Sequence, residues 1–111
     1  IDNKDVEVKK FPQAHNIKKE TFSMIKTALR KVVDDEAGTA HILSMENLSV
    51  AGKTGTAQVK DGAAHAWFVG FCPFKNPRLV FVVFLEHAGS SQIACQLAKK
   101  ILEAMLKERL L

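Results

Sequence analysis

Residues 79–85, Leu-Val-Phe-Val-Val-Phe-Leu, are apolar at every position, and Glu86 ends the run. A strand with one face in water alternates apolar and polar residues, because successive side chains point to opposite faces of the sheet. An unbroken run rich in β-branched and aromatic residues is instead a strand covered on both faces, inside a sheet. The run is far too short to cross a bilayer. It therefore demands a neighbouring strand on each side and a covering layer above and below.

The flanking sequence supplies part of that. Residues 48–60 and 66–74 read as two further strands, with Asp61-Gly62 and Asn76-Pro77 as the turns that join them to each other and to 79–86. Consecutive strands joined by short turns make an antiparallel meander. Before them, 18–35 carries Phe22, Ile25, Leu29, Val32 and Val33 at helical spacing, and Gly38 supplies the stop. After them, 91–110 carries Ile93, Ala94, Leu97, Ala98, Ile101, Leu102 and Met105 as one stripe, with Ser90 or Ser91 as the N-cap. Residues 1–12 mix charged and apolar residues without a period and close on Pro12. The expected fold is α+β, a three-stranded antiparallel meander flanked by two helices, both available to cover one sheet face. In such a meander 79–86 is an edge, which contradicts its composition. The expectation is that another strand and another covering element come from elsewhere, and that the chain is part of a larger domain.

The 111 residues, 47% apolar and 25% charged, bound the chain to one globular domain at most. The net charge of +4 comes from scattered lysines such as Lys18, Lys19, Lys26 and Lys31, with acids between and after them. That distribution describes solvated helix faces, so no nucleic acid partner is expected. Cys72 and Cys95 have no metal or redox spacing and read as small buried apolar residues without a disulfide. The four histidines are dispersed, so neither a metal site nor a cofactor is expected.

The chemistry-bearing stretch is residues 51–58, Ala-Gly-Lys-Thr-Gly-Thr-Ala-Gln. Gly-Lys-Thr occurs in phosphate-binding loops and in acyl transfer on an active-site serine. The phosphate loop needs a glycine five residues before the Gly-Lys pair and must open a helix. Asn47 stands at that position, and 54–59 reads as a strand, which excludes the loop. On a strand, Thr54 and Thr56 project from one face and Lys53 and Gly55 from the other. Two hydroxyls one strand repeat apart can share a carboxylate, and the lysine stem can bend over the strand edge towards the same anion. Gly55 leaves room for a substrate backbone.

"AGKTGTAQV" at 51–59, "HAWFVGFCPFKNPRLVFVVFLEH" at 65–87, "GTA" at 38–40 and the long amphipathic C-terminal helix together resemble the last part of a penicillin-binding protein transpeptidase domain, over residues 17–107. "AWFVGF" at 66–71 is most similar to the class B, elongation-type enzymes of the penicillin-binding protein 2 group. The resemblance implies that 1–111 is a C-terminal fragment of a domain built on a five-stranded sheet. It implies a peptidoglycan D,D-transpeptidase, in which a serine is acylated by a stem peptide, D-alanine leaves, and a neighbouring amine takes the acyl group; β-lactams trap the serine. Lys53 and Thr56 would be catalytic, Lys53 stabilising negative charge and bridging to a serine of another motif, and the Thr56 backbone N–H donating to the oxyanion. Thr54, Gly55 and Thr56 would bind substrate.

Implied partners are the upstream half of the domain with the nucleophile, stem peptides, β-lactams and cell-elongation scaffold proteins. The implied location is the extracytoplasmic side of a bacterial inner membrane, with the anchor outside this chain. Alternatives are a non-catalytic penicillin-recognising module, or a D,D-carboxypeptidase or β-lactamase. The chain departs from the family pattern in lacking its Ser-x-x-Lys and Ser-x-Asn motifs. Ser23-Met-Ile-Lys26 matches the first formally but lies only 30 residues before Lys53, and it reads as coincidence. Gln96 and Cys72 replace a proline and an alanine common in relatives, which touches packing alone.

Overall fold

The computed structural model describes residues 16–111, so the irregular segment expected at 1–12 lies outside the described residues. The chain forms helix α1 (Lys19–Asp34), a short 3-10 turn (His41–Leu43), strands β1 (Ala51–Ala57), β2 (His65–Cys72) and β3 (Leu79–Leu85), and helix α2 (Ser91–Lys107). The strands pair antiparallel in the order β1-β2-β3. The α+β meander expected from the sequence is the observed fold, with ends shortened where other bonds replace the ladder.

At the start of β1, Leu48 and Val50 are buried in the core, but the backbone here bonds outside the ladder. The Val50 carbonyl accepts from Arg30 Nη1 of α1 at 2.6 Å, and Ser49 Oγ accepts from Phe74 N at 2.9 Å. At the far end, β1 and β2 are joined by residues 58–64 rather than by a two-residue Asp61-Gly62 turn. The loop is pinned to the turn after β3 instead: Gly89 N donates to Ala64 O at 2.9 Å and His87 N to His65 Nδ1 at 3.0 Å. α2 starts on Ser90, whose side chain accepts from Gln92 N, a cap worth about 1 kcal/mol. It ends three residues before the expected 110, where Arg109 takes a left-handed conformation (φ 57°) and Leu110 N closes on Met105 O at 2.8 Å.

The register sorts the sheet into two faces. Phe68 stands opposite Thr54 and Val83, and Ala66 opposite Thr56 and Leu85, so these residues share one face. α2 covers that face, burying Ala94, Cys95, Ala98 and Leu102 with Phe68, Cys72 and Val83 in one core. Gly52 and Gly70 face each other within it, and the Phe68 ring lies across both. A Cβ on Gly70 would meet Phe68 Cε1 at 2.7 Å and Phe81 Cζ at 3.1 Å, so neither glycine position has room for a side chain.

The sequence suggested one face for both helices, but they cover opposite faces of the sheet. α1 packs on β1 and lines, with Lys53, Val69, Phe71 and Val80 of the opposite face, a groove of about 370 Å³. Only the C-terminal half of α1 reaches the core: Val33 is buried and Val32 half-buried, whereas Phe22 and Ile25 of the expected stripe are exposed. On α2 likewise, Ile93, Leu97 and Ile101 remain exposed. β3 is covered by α2 on one side, while Val80 (75% exposed) and Val82 (56%) face outward on the other. Among the described residues no strand pairs its outer edge. No helix among the described residues is long and apolar enough to cross a membrane.

Candidate functional site

Among the described residues β1 is an edge strand, and its exposed half carries the Lys-Thr-Gly-Thr stretch. Thr54 and Thr56 lie opposite Phe68 and Ala66, on the α2 side; Lys53 and Gly55 lie opposite Val69 and Trp67. Thr54 is half-buried while Lys53 and Thr56 are exposed. The Lys53 stem curls back along its own strand, so that Nζ donates to the Thr54 carbonyl at 3.2 Å and stands 3.5 Å from Thr54 Oγ1. Among the described residues, the single ion pair is Arg30 with Asp34 at 3.4 Å, which leaves Lys53 without an acidic partner.

The loop after α1 completes the cluster. Gly38 closes against the last turn of α1, where a side chain would run into the Val32 carbonyl, and its N–H bonds Asp35 O at 2.8 Å. This tight return presents the Thr39 hydroxyl 3.0 Å from the Thr54 hydroxyl. Thr39 is itself held from below: Gln92 Nε2, in the first turn of α2, donates to its carbonyl at 2.6 Å. An ammonium, two hydroxyls in contact and a third hydroxyl one strand repeat away thus line the open edge of β1. Such donors are of the kind that can hold a carboxylate. Gly55 contributes space: a Cβ there would meet nothing closer than Trp67 Cβ at 3.4 Å, so the described fold does not itself require glycine.

The family model described as "Penicillin binding protein transpeptidase domain" matches residues 4–103. The chain belongs to this family. Among curated relatives, the peptidoglycan D,D-transpeptidase MrdA of Haemophilus influenzae is 34% identical over 90% of this chain. Among solved structures, the D,D-transpeptidase domain of a peptidoglycan glycosyltransferase from Eggerthella lenta superposes with a TM-score of 0.70 at 31% identity, over 83% of this chain and 21% of that one. Pseudomonas aeruginosa PBP2, solved in complex with WCK 5153, gives a TM-score of 0.67 at 34% identity, over 78% of this chain and 19% of that one. The chain spans about a fifth of these relatives, 18% in the case of MrdA. It is a transpeptidase-domain chain of the penicillin-binding protein 2 type.

Within this transpeptidase-domain chain, the structure brings Lys53 and Thr54 together with two residues the sequence reading did not place at the site. Thr39 had a signal, the Gly-Thr-Ala triplet at 38–40; Gln92 had none, since nothing in a helix stripe marks one polar side chain as reaching a loop. Ser23 of the formal Ser-x-x-Lys match is exposed on α1, where it lines a shallow pocket with Lys19, Lys26, Thr27 and Lys75. The Lys26 ammonium stands 5.8 Å over the Phe74 ring. Among the described residues no group of three His, Cys, Asp or Glu side chains could hold a metal ion.

Proposed function

We propose that this chain is the C-terminal part of the transpeptidase domain of a peptidoglycan D,D-transpeptidase, and that it supplies the Lys-Thr-Gly strand while the serine nucleophile comes from another part of the same domain. One observation carries the reading: the Lys53 ammonium, without an acid among the described residues, lies beside the Thr54 hydroxyl on an open strand edge. A cation held against a hydroxyl and left uncompensated is suited to an anion that arrives with the substrate. In this role the Thr54 and Thr56 hydroxyls hold the terminal carboxylate of a stem peptide or the carboxylate of a β-lactam. Lys53 stabilises that negative charge and bridges to a serine on the far wall of the cleft. The Thr56 backbone N–H donates to the oxyanion of the tetrahedral intermediate, a contribution of about 3 kcal/mol for one such donor. Gly55 leaves the strand edge open to a peptide backbone.

Enzymes of this kind act on the extracytoplasmic side of the inner membrane, and we assign this chain there, with a cell-elongation scaffold as assembly partner. In the full-length protein that carries this chain, Lys53→Ala lowers the rate of acylation by penicillin at least about a hundredfold, the order of loss for an electrostatic stabiliser of the transition state. Acylation rates read on a gel with a fluorescent penicillin, beside an unchanged melting temperature, test this. An unchanged rate removes Lys53 from the site.

A further inference from the structure

We infer that Thr39 is a positioning residue: its hydroxyl donates to Thr54 Oγ1, and so turns the Thr54 proton outward to the ligand carboxylate. The inference rests on the transpeptidase reading and concerns the state of one hydrogen within it. Thr54 Oγ1 has one proton and two lone pairs. Lys53 Nζ, which can only donate, stands 3.5 Å away; at that distance it acts mainly as a charge, drawing the oxygen's lone pairs towards itself and turning the O–H away. The proton then has two directions left, towards Thr39 Oγ1 at 3.0 Å or out of the edge. A proton spent on Thr39 is lost to the substrate.

Thr39 has the freedom to be the donor. Its hydroxyl makes no other bond among the described residues, and its backbone is fixed independently of Thr54. Gln92 Nε2 holds its carbonyl at 2.6 Å, and the neighbouring Ala40 N donates to Val32 O at 3.1 Å. The first turn of α2 and the end of α1 therefore aim this hydroxyl at the motif strand. With an anion in the cradle, the arrangement that gives the carboxylate a hydrogen bond wins, because charge-assisted bonds are about twice as strong as neutral ones.

The test uses the full-length protein and the second-order rate of acylation by a fluorescent penicillin. Thr39→Val keeps the shape and removes the donor, and acylation falls about tenfold, the loss expected for one hydrogen bond to a charged ligand. Thr39→Ser restores the rate to within about threefold. In a Thr54→Val background, the same Thr39→Val change has no further effect, since Thr39 acts only through Thr54. Melting temperatures check that the variants are folded. If Thr39→Val does not fold, Gln92→Ala, which releases the Thr39 carbonyl without touching β1, lowers the rate several-fold. A Thr39→Val rate equal to or above wild type, a Thr39→Ser rate as slow as Thr39→Val, an additive double variant, or a Gln92→Ala rate equal to wild type overturns the inference. Wild-type protein that takes no label refutes the transpeptidase reading and this inference with it; a labelled wild type with an unaffected Thr39→Val refutes this inference alone.

Discussion

Cys95 is fully buried under β2, and burial pushes its thiol up to about 11 from the ordinary 9.0; Cys72, equally buried, is raised for the same reason. Desolvation disfavours the thiolate, so between pH 9 and about 11 the folded chain keeps a proton at Cys95 that the unfolded chain releases. The folded state then binds more protons than the unfolded one, and stability falls as pH rises through that window. The melting temperature of the protein should decline between pH 9 and 11, and decline less in Cys95→Val. A decline of equal size in both would show that other groups carry it. Both cysteines are free. Burial that keeps both thiols protonated also slows their oxidation, because the thiolate is the reactive form. The burial of both was readable from the sequence, because each sits within an apolar pattern. The Gln92 contact to Thr39 was not, since it joins residues 53 positions apart through a single side chain.

Between the motif strand and β2, two facing glycines make room for an aromatic ring. Gly52 and Gly70 form a cross-strand pair with the Phe68 ring laid over both, while a Cβ on Gly55, three residues on, would meet nothing closer than Trp67 Cβ at 3.4 Å. Gly70→Ala should destabilise the protein by about 1–3 kcal/mol, because the ring must leave its place. Gly55→Ala should change stability by less than about 0.5 kcal/mol. Denaturant unfolding of the two variants checks the contrast, and equal effects would mean that both glycines serve packing. Alternation along β1 and β2 was legible because period two is a local property of the residues. Strand ends were not. β1 stops at Ala57 rather than at 60 because the loop finds partners in His87 and Gly89, residues of the turn after β3. The placement of α1 and α2 on opposite faces was hidden for the same reason: an amphipathic stripe tells that a helix packs, not which side of the sheet receives it.

Among the described residues, one sheet face is left apolar and uncovered at the scale of the whole molecule. Val69, Val80, Val82 and Phe84 lie exposed on one face of the sheet, and the β3 backbone has an open outer edge among the described residues. This is where the sequence pointed first, with seven apolar residues in a row. A run of that kind on an open edge recruits another strand or aggregates. We therefore propose that the remaining strands of the sheet, together with the nucleophile, are supplied by the upstream half of the domain. Produced alone, these 111 residues should associate, and mixing with the upstream half should return a soluble complex. Fluorescent penicillin labelling of that mixture, read on a denaturing gel, decides whether this chain carries the Lys-Thr-Gly strand and not the serine. No label is expected on this chain alone, and in the mixture the label should migrate with the upstream half. A label that migrates with this chain would make Ser23 the candidate nucleophile and remove the serine from the upstream half.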